Sequence, residues 1–331
     1  MPDIVFMNKL KKYLKIFVAG SIIILTIVFF AREFHENIKS VNSFNLKFDL
    51  FPLIIAAFFI IFTKVFQTFE WFVFVNSISA QNKIKYFDAF TITNTSSLTK
   101  YLPGKIWEYA LQMQWLGNHG FSKSSILYVN LFLLIFDYLT MLIISFFLWT
   151  VLNPFNNISL MIFLLVVFLL INLILLAFKK KMFNWLVGSL SKILKKQIGY
   201  YDISIKSILF VQGVHLLFVL SHGIAIYFIC KGIGLNLSPD TIIVILPAFL
   251  IASLLGMIIV IMPGGLGVRE GSMYLMTAAL IPKSYALIIP IAIRIVQMTV
   301  EFGIGVFAVV LLKKSFNNLK RQNDNNSIVV E

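Results

Sequence analysis

Cysteine is all but missing from this chain. Cys230 stands alone, which excludes an intramolecular disulfide and any cysteine-built metal cluster. Charge is scarce as well: Asp, Glu, Lys and Arg together make up 13% of the 331 residues, about half the ~25% of an ordinary soluble domain. Polar stretches are short. The longest, about 32–49, 179–206 and 313–331, fall far below the ~100 residues of a typical folded domain, so no separate soluble domain is expected. No GxxxxGK[ST] phosphate loop occurs, and with it goes that route to nucleotide-driven work. No small-residue cleavage site is evident in "IVFFAREFHEN", so the first apolar run, about 16–31, is expected to be a retained span rather than a signal peptide.

What remains is grease. Hydrophobic residues make up 59% of the chain, and phenylalanine alone contributes 34. Apolar runs of the ~20 residues needed to cross a ~30 Å hydrocarbon core recur from end to end, so the sequence encodes an all-α polytopic membrane protein. Spans are expected at about 16–31, 50–75, 124–150, 158–178, 206–230 and 285–312. The net charge of +14 does not point to nucleic acid. Its lysines sit at the ends of apolar runs, as Lys9, Lys11, Lys12 and Lys15 do before the first, Lys83 and Lys85 after the second, and Lys313, Lys314, Lys320 and Arg321 after the last. That is the distribution of cytoplasmic loops, and it places both termini in the cytoplasm. The basic stretch "MFNWLVGSLSKILKK" has helical amphipathic spacing; it fits either a helix lying on anionic inner-leaflet lipid or a solvated linker. The tail 313–331 reads as disordered.

Two segments resist a simple span count. The stretch 86–122 is too polar to face lipid, and 241–281 begins as an apolar helix, breaks at "IMPGGLGVRE" and resumes as a run too short to cross alone. Both carry the same punctuation: Pro103 and Gly104 followed by Glu108 in "YLPGKIWEY", then Pro263, Gly264, Gly265 and Gly267 followed by Arg269 and Glu270. By the lysine distribution they enter the membrane from opposite faces. Interrupted helices at corresponding places in two halves point to an inverted repeat with a binding site between the breaks. Proline ends one helical arm, glycine permits the turn, and the next arm opens with free N–H groups and a positive dipole end that suit an anion. The other reading of 241–281 is two full spans joined by a cytoplasmic turn, and the spacing leaves both open. The expected architecture is thus about 7–8 transmembrane helices with two re-entrant Pro-Gly-broken elements, in one domain over 1–312 with halves at about 16–178 and 206–312.

Ionisable groups at membrane depth need partners or a wet cavity. Asp137 lies near the middle of its span with Asn130 two turns earlier, and Arg294 and Glu301 share a face near Gln297. Lys64, Gln67 and Glu70 sit in the second span, and His215 and His222 in the fifth; structural ion pairs and hydrogen-bonded histidines are the plainer reading of these. The residues expected to line a transport path are Pro103, Gly104, Glu108, Asp137, Pro263, Gly264, Gly265, Gly267, Arg269, Glu270, Arg294 and Glu301. No catalytic residue, metal ligand or cofactor is expected.

The chain resembles the flippase-like transmembrane family typified by the membrane half of lysylphosphatidylglycerol synthases. The resemblance is carried by "KYLPGKIWEY", "FDYLTMLI", "MPGGLGVREG" and Arg294 in "IAIRIVQ". It implies movement of a phospholipid or a polyprenyl-phosphate-linked saccharide between leaflets of a bacterial or archaeal plasma membrane. Trp107 stands where the family often has glycine, and the synthase's aminoacylating domain is absent, so lysine transfer by this chain alone is not expected. A membrane transferase using Glu108 or Glu270 as base, or a non-catalytic subunit of an envelope lipid or polysaccharide complex, are the competing readings; homo-oligomers and envelope-biosynthesis partners are compatible with all three.

Overall fold

The computed structural model describes residues 48–79, 82–101, 107–117, 119–152, 156–181, 184, 185, 188, 203–235, 237–259 and 262–328. The expected first span at 16–31, most of the basic stretch after Lys181, and Pro103 and Gly104 of the first break lie outside them.

Among the described residues the chain is helical and has no strand. In order come α1 (Leu50–Ser77), α2 (Tyr86–Ser97), a 3-10 turn (Leu98–Tyr101), α3 (Trp107–Gly117), α4 (Lys123–Leu152), α5 (Ile158–Ala177), α6 (Ile205–Gly232), α7 (Pro239–Ile258), a second 3-10 turn (Pro263–Gly265), α8 (Val268–Thr277) and α9 (Lys283–Ile328). Side-chain caps set several starts. Asp49 accepts from the Phe51 amide, Asn157 from Leu160 and Ser204 from Ser207, each at 3.0–3.1 Å, satisfying amides that have no partner inside the helix.

Among the described residues six helices are long and apolar enough to cross a membrane: α1, α4, α5, α6, α7 over Thr241–Ile258, and α9 over Lys283–Leu312. The backbone of α9 stays helical to Ile328, through the stretch expected as a disordered tail. Helices α2, α3 and α8, with 12, 11 and 10 residues, reach only ~15–18 Å at 1.5 Å per residue. In the second broken element a full-length arm, α7, turns into a half-length arm, α8, that packs against it.

Packing explains where the polar groups go. Helices α1 and α6 run antiparallel along their whole length, from the Asp49 amide bonded to the Gly232 carbonyl at 2.8 Å to Glu70 beside His215. One apolar cluster gathers Ile60, Trp149, Ile226 and Leu250; a second gathers Phe74, Trp115, Phe132 and Ile208. Each of α1, α4 and α6 contributes to both, and on each helix a polar stretch lies between: Lys64 to Glu70, Asp137, and His215. The fold is thus apolar at both ends and polar across its middle. By contrast α5 fully buries only Met161 and Asn172, packs Leu164, Phe168, Leu175 and Leu176 inward, and leaves much of its surface exposed.

Candidate functional site

The polar middle encloses a cavity of about 280 Å³. Its wall combines Lys64 and Glu70 of α1, Lys100, Glu108 of α3, Asp137 of α4, His215 of α6, Gly264 and Arg269 of the second broken element, and Glu301 of α9. Both broken elements reach it, and their 3-10 turns touch.

Three glycines shape the second break. Gly264, Gly265 and Gly267 have φ of +59°, +70° and +79°, a region open to glycine and strained for other residues. Space matters as much as the dihedral. A methyl group on Gly264 would sit 2.9 Å from the Arg294 guanidinium and 2.9 Å from the Tyr101 ring, and one on Gly265 would sit 2.8 Å from the Gly256 carbonyl oxygen. Gly264→Ala is expected to destabilise the protein by ~1–3 kcal/mol, read as a lower unfolding midpoint in detergent. Gly271→Ala, in α8 with open space around it, serves as control and should be neutral or slightly stabilising.

Arg294 fastens the break to α9. It donates to the Gly264 carbonyl at 2.8 Å, pairs with Glu270 Oε1 at 3.4 Å and lies over the Tyr101 ring, 5.8 Å from its centroid. Glu270 Oε2 in turn accepts from the Gly267 amide at 2.6 Å, capping α8 three residues into the helix as a carboxylate at a positive dipole end should. Glu270 is therefore a brace for the turn. Arg269, its neighbour, points the other way: it donates to Ser253 of α7, lies over Phe249, and lines the cavity.

Across the cavity Glu301 collects two cations. Its Oε1 is 2.9 Å from Lys64 Nζ and its Oε2 is 2.5 Å from Lys100 Nζ, while the Tyr101 hydroxyl donates to Oε2 at 2.9 Å. Lys64 also donates to Gln67 at 3.3 Å. A third group, Glu70, Asp137 and His215, closes the cavity on the α1–α4–α6 side. Beside it runs a chain of hydrogen bonds, from Trp71 to Asn130 at 3.2 Å, Asn130 to Gln112 at 2.8 Å and Gln112 to Ser96 at 3.1 Å, which ties α1, α4, α3 and α2 together.

The expected path residues within the described set thus fall around one space or its hinge. Asp137, Glu108, Gly264, Arg269 and Glu301 line it, and Glu270, Gly267 and Arg294 hold its broken wall. His222 also lines it, with its ring tilted against Phe218 and stacked on Phe249. Lys100 and Tyr101 were not singled out in the sequence. The available signal was their place, a cation and a phenol directly before the first Pro-Gly break. Trp107, where the resemblance leads one to expect glycine, is half exposed.

An all-helical membrane bundle with broken helices meeting at a charged internal cavity is the architecture of proteins that handle polar groups at membrane depth. The chain belongs to the lysylphosphatidylglycerol synthase transmembrane-region family, whose model matches residues 16–305. No curated protein matches it. Family membership gives the protein a role connected with membrane lipid.

Proposed function

We propose that this protein moves a phospholipid or a polyprenyl-phosphate-linked saccharide between the leaflets of a bacterial or archaeal plasma membrane, with both termini cytoplasmic. The observation that carries the reading is the cavity itself: about 280 Å³, walled by Lys64, Lys100 and Arg269 among carboxylates, at the junction of two broken helices. That volume is just below the ~300–1,000 Å³ of a small-molecule site and suits a headgroup rather than a whole lipid. The acyl or prenyl tails then stay in the bilayer, while the phosphate meets the cations and the amides at the start of α8. In this scheme the two breaks are re-entrant elbows that let irregular backbone exist at depth because a wet cavity satisfies it.

Glu301 already engages Lys64 and Lys100, so an arriving phosphate takes over cations that a carboxylate releases. Anionic headgroups are accordingly the expected cargo. The test is reconstitution into liposomes carrying fluorescent lipids, with a membrane-impermeant quencher reporting sidedness. Wild type should exchange at least one anionic labelled lipid, and an Arg269→Ala, Glu270→Ala double variant should lose most of that rate. Exchange unaffected by the double change, or none with any labelled headgroup, refutes the proposal. Single cysteines along 98–108 and 262–271 in a Cys230→Ser background supply a second check. Aqueous thiol reagents should reach both breaks, and a lipid analysis of cells with and without the protein should find altered sidedness rather than altered composition.

A further inference from the structure

Two carboxylates and an imidazole meet in the cavity wall without a cation of their own. Glu70, Asp137 and His215 come from three different helices, and one ligand atom of each lies within 4.8 Å of the other two. His215 Nδ1 is 3.3 Å from Glu70 Oε1 and 3.5 Å from Asp137 Oδ1. Both Glu70 and His215 are almost wholly buried, at 2% and 3% exposure. Yet among the described residues Glu70 Oε1 and both ring nitrogens of His215 lack a hydrogen-bond partner. Among the described residues, the cavity's lysines, Lys64 and Lys100, are committed to Glu301.

Separations of 3.3 and 3.5 Å are short enough for hydrogen bonds, but the geometry does not make them. Buried nitrogen and oxygen this close with no hydrogen bond between them are polar atoms that call for a partner. The two spacings to His215 fit a particular occupant, and the two carboxylates lie within 4.8 Å of each other. Zinc binds imidazole nitrogen and carboxylate oxygen at about 2.0–2.1 Å in tetrahedral array, which puts neighbouring ligand atoms about 3.3–3.4 Å apart. Calcium is a poor match, since it takes six to eight oxygen ligands at about 2.3–2.6 Å. Charge agrees: burial disfavours two bare carboxylates side by side, and one divalent ion neutralises both.

We propose that Glu70, Asp137 and His215 form a binding site for one divalent first-row transition ion of the zinc class, held by three protein ligands with its fourth position open to the cavity. Three ligands and an open position is the arrangement of sites that receive water or a substrate oxygen. Resting on the lipid-transport reading, that position would take a phosphate oxygen of the headgroup. No short ligand spacing announces the site, because its members are 67 and 78 residues apart in sequence, at positions 70, 137 and 215.

The test uses the purified full chain in detergent, stripped with a chelator and then titrated with Zn²⁺ alone or Co²⁺ alone, with metal content, calorimetry and the visible absorption of Co²⁺ as readouts. One metal per chain and the intense bands of tetrahedral Co²⁺ are expected. His215→Ala and Asp137→Asn should each weaken binding by at least ~100-fold, the upper end of what even an outer-sphere change removes. Glu108→Gln, in the same cavity but outside the triad, should leave affinity within a few-fold of wild type. Stripped wild-type protein that takes up no stoichiometric metal overturns the proposal without recourse to any variant. So does an unchanged Co²⁺ spectrum in monodisperse His215→Ala. Neither readout involves lipid, so failure here leaves the transport reading standing, and failed lipid exchange leaves the metal site standing.

Discussion

Glu301→Ala is expected to destabilise the protein by about 3–5 kcal/mol, the penalty for removing one partner from a buried ion pair. The carboxylate is the common partner of Lys64 and Lys100, whose side chains are 10% and 24% exposed. Without it two ammonium groups share a poorly solvated space and repel one another. Desolvation rather than lost attraction dominates, which makes a rescue possible. Replacing all three by apolar residues of similar volume, Lys64→Met, Lys100→Met and Glu301→Leu, should recover most of the lost stability, since apolar substitutes for buried charge networks are often neutral or stabilising. Lipid exchange should stay abolished in that triple variant. Unfolding midpoints in detergent together with the liposome assay check both halves. A Glu301→Ala protein as stable as wild type, or a triple variant that still transports, contradicts the assignment.

Arg294→Met should be comparably severe, at about 3–5 kcal/mol, for a different reason. Arg294 ties α9 to the second break through the Gly264 carbonyl and to α8 through Glu270, and it rests on Tyr101 beside the first break. Its loss leaves the buried Glu270 carboxylate without its ion-pair partner and the Gly264 carbonyl without its donor, and it unfastens one broken element from the other. Arg294→Lys should not restore the wild type, because an ammonium cannot offer the planar, forked set of donors that reaches both acceptors and stacks on a ring. Raised reactivity of a cysteine at Leu266 toward aqueous reagents would report the unfastening. Full stability in Arg294→Lys would show that charge alone suffices.

Much of this was legible in the sequence because length and hydropathy are local properties. The runs at 50–75, 124–150, 158–178, 206–230 and 285–312 become α1, α4, α5, α6 and the apolar part of α9 within a few residues, since the hydrocarbon thickness fixes how long an apolar helix must be. The second break is equally local: a proline and three glycines admit few backbone paths. Pairing is another matter. Nothing in sequence spacing states that Lys64, Lys100 and Glu301, up to 237 residues apart as 64 is from 301, converge on one point. Glu270 illustrates the limit from the other side. Adjacency in sequence does not pair Glu270 with Arg269: neighbouring residues on a helix point about 100° apart, and Glu270 turns to Arg294 while Arg269 turns to Ser253. His215 was the least legible. A buried histidine usually finds a hydrogen bond, and only the placement of α1 and α4 around it makes its company two carboxylates.

The outward-facing helix α5 has 20 residues, against 28 in α1 and α6 and 30 in α4, or ~30 Å of height beside neighbours of ~42–45 Å. Staves of such unequal height cannot meet a bilayer evenly: tall ones lean or protrude into the headgroups. At ~30 Å, α5 matches the oil layer itself, so on the flank where it stands against α4 the protein can sit level with the leaflets while the longer staves take up their excess by tilting.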